Sequence, residues 1–306
     1  MKAIRLHQLG GPESLRYEDA PKPIPKGSQV LVQVYATAIT RTEFDWYPTF
    51  HTPEGGMRPF PIILGHEFSG VVEAVGSECT DVQVGDPIYG VSDWFIDGAQ
   101  AEYCLTIPAN IAPKPVTLEH SQAAAAPISA LTAWQALIDR AHLSAGQRVL
   151  IHGAAGGVGS FAVQVARHQN AHVIATASAA NTDVVKALGA DEVIDYRITP
   201  FETVVGEVDV VLDTIGGNTR DRSWGVLRTG GRLVTIAADA EGVKEQRVRE
   251  AFFIVEPNRN QLVNIAHLID TGALRPVVGA VFSIEHFRQA YGQKPVRGKH
   301  VLRIAE

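Results

Sequence analysis

The stretch VLIHGAAGGVGS, residues 149–160, constrains this chain more than any other. An apolar, β-branched run stops at a glycine turn, and SFAVQVARHQ (160–169) behind it carries apolar residues at helical spacing. Gly153, Gly156, Gly157 and Gly159 form a G-x-x-G-G-x-G arrangement. Small residues there let the backbone approach a pyrophosphate seated at the helix N-terminus, where unpaired N–H groups and the helix dipole favour an anion. The spacing departs from G-x-G-x-x-G, and a purely structural turn is the alternative. What favours a dinucleotide is the order strand, turn, helix, second strand within ~30 residues. Gly156, Gly157 and Val158 are the residues expected to hold it.

The same grammar repeats downstream, as it does in a parallel, doubly wound sheet covered by helices. RVLIH (148–152), HVIATA (172–177), EVIDY (192–196), VDVVLDTIG (208–216) and GRLVTIA (231–237) read as strands, and AFFIV (251–255) as a sixth. A helical segment follows at 258–272. Upstream the pattern differs, because 13 of the 17 prolines fall in residues 1–127 and proline breaks helices. Short β-rich runs there, VLVQVYATAI (30–39), FSGVVEAVG (68–76), PIYGV (87–91) and AQAEYCLTI (99–107), predict a small antiparallel barrel or sandwich. The tail returns to this character with VVGAVFSI (277–284) and KHVLRI (299–304). The expected division is therefore 1–127, completed by 273–306, and a dinucleotide-binding domain at 128–272.

The end of the second parallel strand bears on which dinucleotide binds. An Asp or Glu ~20 residues beyond the glycines would take the ribose 2′-hydroxyl of NAD. Here the chain reads ATASAANTD, with no acid at the strand end. Ser178 and Asn181 can donate to a 2′-phosphate, and Tyr196 with Arg197 can stack on adenine and pair with that phosphate. NADP(H) is the expected cofactor.

Composition excludes several other functions. With 27 basic against 33 acidic side chains among 306 residues, and no basic run, no nucleic acid partner is expected. The longest uncharged stretch, His120 to Ile138, is interrupted by Ser121, Gln122, Pro127, Ser129, Thr132 and Gln135, so no membrane span is expected. Cys79 and Cys104 form no CxxC pair, which argues against a disulfide framework or a four-cysteine zinc lobe. The N-terminus has no apolar signal segment, and a cytoplasmic protein is expected.

GHEFSGVVEAVG (65–76), VGDPIYG (84–90), GAQAEY (98–103), LTAWQAL (131–137), the glycine turn, LGADEVIDY (188–196), LRTGGRLVTIA (227–237) and RGKHVLRI (297–304) occur in one order along the whole chain. In this the sequence resembles the medium-chain dehydrogenase/reductase superfamily, and within it the zinc-independent quinone oxidoreductase-like branch. The resemblance implies an α/β protein: a GroES-like β-rich catalytic domain built from both chain ends, an inserted Rossmann domain, a cleft between them, and a homodimer. It further implies cofactor contacts from Thr132, Thr214, Ile215, Phe253, Val255 and Lys299.

His66 of the GHE segment matches a zinc-ligand position of the superfamily's alcohol dehydrogenases, but Thr40 stands where they place a cysteine and the AAAAPIS region lacks their further one. Catalytic zinc needs three protein ligands, so no metal is expected and His66 is read as a hydrogen-bonded cleft or core histidine. Without a Lewis acid, simple alcohol oxidation is disfavoured, and an acceptor that delocalises charge fits: a small-molecule quinone or α,β-unsaturated carbonyl. Thr40, Arg41 and Tyr47 are the candidate donors to its oxygen, with Glu43 and Asp45 to orient them and Trp46, Trp94 and Phe95 as an apolar wall. The competing readings are a zinc-dependent alcohol dehydrogenase and a non-catalytic NADP(H)-binding sensor.

Overall fold

In the proline-rich first part helices last no more than about a turn, and strands dominate. They are β1 (Lys2–Leu6), β2 (Leu15–Asp19), β3 (Val30–Ala38), β4 (Ile62–Ile63), β5 (Glu67–Val75), β6 (Pro87–Val91), β7 (Tyr103–Thr106) and β8 (Ile111–Pro113), with α1 (Tyr47–Phe50) and α2 (His120–Ala123) between and after them. The computed structural model describes residues 1–305 and divides them into two units. One comprises Met1–Ile128, Pro257–Gly272 and the chain from Pro276 onward; the other comprises Ser129–Glu256 and Ala273–Arg275.

The second unit opens from α3 (Pro127–Trp134) and follows the expected alternation: β9 (Arg148–Ile151), α4 (Gly157–His168), β10 (His172–Ala177), α5 (Thr182–Ala187), β11 (Glu192–Asp195), β12 (Val208–Asp213), α6 (Gly217–Ser223), β13 (Leu227–Thr235) and α7 (Gln246–Ala251). All pairs are parallel and the spatial order is β11-β10-β9-β12-β13. The order reverses at β9, so the crevice at its carboxyl end is where such sheets take ligands. Leu150, Ile174, Val208, Val211 and Leu233 pack the core beside Phe201. Each such side chain contributes roughly 1.5–3 kcal/mol by leaving water.

The expected sixth strand is not formed among the described residues. α7 runs to Ala251, and only Phe252 makes a parallel bridge, to Thr235. The chain then passes to Glu256, whose backbone N–H and carbonyl are both bonded by the Gln135 side chain at 3.0 and 2.8 Å. A side-chain amide thus takes the place of a strand partner.

α8 (Arg259–Asp270), β14 (Val278–Ser283), α9 (Phe287–Gly292) and β15 (Lys299–Arg303) return the chain to the first unit. α8 was expected within the dinucleotide domain; it packs instead on the strands of the first unit. Tyr89 donates to the Leu262 carbonyl at 2.6 Å, Arg259 donates to the carbonyls of Pro108 and Ile111, and Asp270 accepts from the N–H groups of Val116 and Thr117. β15 adds antiparallel to β3, completing the sheet order β14-β15-β3-β5-β6-β8, with β7 on β3. A separate sheet runs β2-β1-β4. Ile4, Leu6, Leu15, Ile62, Phe287 and Tyr291 share one core, and Val30, Val32, Phe68, Val72 and Ile88 another.

His152 follows β9 directly and is buried. Ser223 donates its own proton to the Thr219 carbonyl, so its Oγ accepts from His152 Nε2 at 3.0 Å while Thr176 Oγ1 donates to Nδ1 at 3.1 Å. That arrangement suits a neutral ring, and burial lowers its pKa to about 4. The unfolded chain binds this proton near pH 6.5, the folded chain only near 4, so stability present above 6.5 is lost as the pH falls. Between pH 7 and 5 the loss is about 2 kcal/mol. Denaturant titrations at the two pH values should show that His152→Asn loses about 2 kcal/mol less than wild type; an equal loss in both would show that this imidazole is not held neutral.

Candidate active site

The glycine turn sits at the carboxyl end of β9. Gly153 has φ +70°, and a Cβ there would stand 2.3 Å from Thr214 Oγ1, whose hydroxyl donates to the His152 carbonyl at 2.9 Å. A Cβ on Gly159 would stand 2.2 Å from the Gly153 carbonyl. Neither position has room for a side chain, and the close approach seats the first turn of α4 directly after β9. Its N-cap, Gly156, is exposed and supplies no side-chain acceptor. The first N–H groups of a helix lack intrahelical partners, so this twelve-residue helix presents donors and the positive end of its dipole beside Gly156, Gly157 and Val158. Such a cradle fits the pyrophosphate of a nicotinamide dinucleotide.

The neighbouring strand ends carry the other expected residues. Ser178 follows β10, nearly buried, and its Oγ accepts from Asn181 at 3.3 Å. Tyr196 is exposed past β11, with the Arg197 guanidinium 5.9 Å from its ring centre. Thr214 and Ile215 follow β12, and Ile215 is exposed. Thr132 is buried in α3, and Phe253 is buried with the Arg140 guanidinium 5.3 Å above its ring; Val255 is half-buried two residues on. A groove of about 540 Å³ runs along β13, lined by Arg140, Trp224, Arg232, Arg247 and Phe253. Gly153, Ser178 and Thr214 are not among its lining residues.

Two carboxylates at these strand ends escaped the sequence reading. Asp213 is fully buried and accepts from the N–H groups of Ile215 and Gly216 and from the Thr235 hydroxyl, which fixes the turn carrying Thr214 and Ile215. An acid closing an apolar strand, as in VVLD, needs such partners and was a usable signal. Asp195 lies level with Ala177 in the adjacent strand and accepts from the N–H groups of Ala179 and Arg197. The acid absent from the end of β10 thus has a neighbour supplied by β11.

The candidate donors lie in the first unit. Thr40 is half-buried, and its Oγ1 receives the Lys299 ammonium at 2.7 Å. Lys299 is therefore engaged within the first unit, also pairing with the buried Glu67. Arg41 donates to the carbonyls of Tyr291 and Gln293, so its guanidinium is tied to the C-terminal segment. Tyr47 is exposed and stacks face to face on His51 with ring centres 4.0 Å apart. Glu43, expected to orient these donors, is buried and accepts instead from the backbone N–H groups of Gly65 and His66, at 2.7 and 3.2 Å; Asp45 is exposed.

His66 is the core histidine expected, but without the expected hydrogen bond. It is fully buried, yet neither ring nitrogen has a hydrogen-bond partner among the described residues, and Nδ1 stands 3.7 Å from Glu43 Oε2. Trp46 and Trp94 meet edge to face at 5.7 Å and both border this imidazole, which places two of the expected wall residues together.

Comparison with known proteins accords with this geometry. The profile of the alcohol dehydrogenase GroES-like domain matches residues 26–118, and that of zinc-binding dehydrogenase matches residues 188–302. A quinone oxidoreductase of Sus scrofa is 32% identical over 95% of this chain and 93% of that protein. A mitochondrial NAD(P)H oxidoreductase of Danio rerio is 31% identical, covering 81% of this chain and 73% of that one. A solved quinone oxidoreductase from Coxiella burnetii superposes with a TM-score of 0.88 at 30% identity, covering 99% of each chain.

The zinc named in the second profile does not fit the residues present. His66 is bordered by two indole rings, the Glu43 carboxylate is satisfied by backbone donors, and Thr40 receives an ammonium, which a metal cation at the same oxygen would repel. Among the described residues no group of three or more His, Cys, Asp or Glu is placed to hold a metal ion.

The glycine cradle itself can be tested by filling it. Gly153→Ala combines a left-handed φ, costing about 1–3 kcal/mol, with the clash on Thr214 Oγ1. Fluorescence titration should show about tenfold weaker binding of NADPH and NADH alike, with far-UV circular dichroism retained. Unchanged affinity for both would remove this turn from the cofactor site.

Proposed function

The chain belongs to the medium-chain dehydrogenase/reductase superfamily, in its quinone oxidoreductase-like branch, and from that premise we propose that it reduces quinones or α,β-unsaturated carbonyls with NADPH and without catalytic zinc. The observation that carries this reading is the uncapped N-terminus of α4 behind a turn with no room for side chains, in a chain whose GHE segment lacks a zinc donor set. The cofactor, when bound, supplies a hydride. Gly156, Gly157 and Val158 hold its pyrophosphate, Ser178, Tyr196 and Arg197 its adenosine end, Thr214 and Ile215 its ribose, and Thr132, Phe253 and Val255 its nicotinamide end.

A quinone or enone spreads the incoming negative charge over a conjugated system. Neutral donors therefore suffice where a simple alkoxide would require a Lewis acid. Thr40 and Tyr47 are the proposed donors to that oxygen; the exposed Tyr47 phenol can exchange the final proton with water. Arg41, held on two carbonyls, acts by fixing the loop that carries them. A homodimeric, cytoplasmic enzyme belongs to the same reading. Among the described residues no helix is long and apolar enough to cross a membrane.

NADH is the second reading, and Asp195 favours it, since a carboxylate beside Ser178 repels a 2′-phosphate. A substrate panel followed by nicotinamide absorbance tests the activity: quinones and enones should be consumed and simple secondary alcohols left unoxidised. Titration tests the cofactor. Wild type should bind NADPH more tightly than NADH, and Ser178→Asp should weaken NADPH by about tenfold or more while sparing NADH. Tighter binding of NADH by wild type would overturn the NADPH assignment.

A further inference from the structure

Lys299, Glu67 and Thr40 form a polar cluster assembled by three strands. β15 pairs antiparallel with β3, and the Ile39 N–H donates to the His300 carbonyl at 2.9 Å, which brings Lys299 beside Thr40. β3 also pairs with β5, and Thr37 Oγ1 donates to the Glu67 carbonyl at 2.7 Å. Glu67 is fully buried and Lys299 nearly so. One carboxylate oxygen meets the ammonium and the other accepts from the Ile128 N–H at 3.0 Å. Burial pushes the Glu67 carboxyl up, against the opposing pull of the ammonium. Removing two charges from water costs more than their attraction commonly returns, so a pair of this kind is weak evidence for stability and invites another role.

The hydrogen-bond inventory points to that role. An ammonium has only protons to give, while a threonine hydroxyl has one proton and two lone pairs. The contact of 2.7 Å between Lys299 Nζ and Thr40 Oγ1 therefore occupies a lone pair of the hydroxyl. Its proton must point away from the ammonium. Inside the cluster the hydroxyl can donate only to Glu67 Oε1, at 3.4 Å, beyond the usual O–H···O range of about 2.5–3.0 Å, so this weak contact yields to a closer acceptor. Thr40 is also the member of the cluster most open to solvent.

We infer that Lys299 is a positioning residue: by occupying the inner lone pair of Thr40, it aims and polarises the hydroxyl toward a substrate oxygen. This rests on the hydride-transfer reading and replaces the expectation that Lys299 touches the cofactor. The charged partner makes Thr40 a stronger donor than an isolated hydroxyl. Glu67 holds the ammonium in place.

The test measures kcat and KM with an enone, together with the NADPH dissociation constant, in a variant series. Thr40→Val should lower kcat by about tenfold or more, and Thr40→Ser should restore it to within about threefold of wild type. Lys299→Met combined with Glu67→Gln removes both charges at once, leaving neither unpaired. It should reproduce the loss, and adding Thr40→Val should lower kcat less than about twofold further, because the residues act through one hydroxyl. NADPH affinity should stay unchanged throughout. Should the double variant not fold, Lys299→Arg keeps the charge but alters the donor geometry, and it should lower kcat without weakening NADPH. Multiplying losses, an inert Thr40→Val, or weakened NADPH binding in either Lys299 variant would overturn the inference while leaving the activity standing. Wild type that reduces neither quinones nor enones would overturn the hydride-transfer reading, and this inference with it.

Discussion

Where Gly159 passes the Gly153 carbonyl, a methyl group would lie 2.2 Å from the oxygen, and the chain has none to place there. This missing atom lets α4 begin directly behind β9. The helix N-terminus then opens at the strand end where the sheet order reverses, beside turns that follow β10 and β12. The supporting bonds serve the same geometry: Thr214 donates to the His152 carbonyl, and Asp213 gathers the next two N–H groups behind it. Packing, backbone conformation and anion affinity are therefore one constraint expressed at three levels.

The first unit solves a different problem, that of placing charge inside a β-rich core. Glu43 and Glu67 are both buried, and each is satisfied in its own way, by two backbone N–H groups or by an ammonium and one N–H. An unpaired buried carboxylate would cost several kcal/mol, at order of magnitude. Both lie in segments that carry candidate site residues, at the start of the Thr40–Tyr47 loop and in the GHE run. The stability of these carboxylates and the direction of the nearby hydroxyl are thus parts of the same arrangement.

Features that depend on local periodicity were legible in the chain. The five parallel strands, α4, the glycine turn and β15 follow from apolar spacing and glycine placement within short windows. Features that depend on register were not. Asp195 reaches the Ser178 turn only because β11 lies level with β10, and Lys299 reaches Thr40 across 259 residues of sequence because β15 adds to β3. AFFIV has the composition of a strand, yet the preceding QRVREA continues as helix to Ala251 and Gln135 bonds the backbone of Glu256. Glu43 read as a loop acid because nothing local shows that the backbone of Gly65 and His66 turns toward it. The segment 258–272 has clear helical periodicity, but periodicity does not say which unit the helix packs against; Tyr89 and Arg259 decide that.

On the proposed function, the glycine cradle holds a nicotinamide whose hydride passes directly to a conjugated carbonyl. NADPH deuterated separately on each face of C4 tests it most directly, with an enone as acceptor and mass spectrometry of the reduced product. One of the two labelled cofactors should deliver a single deuterium to carbon in the product, while the other delivers none. Carbon-bound hydrogen drawn only from solvent, with both labelled cofactors giving the same unlabelled product, would contradict it.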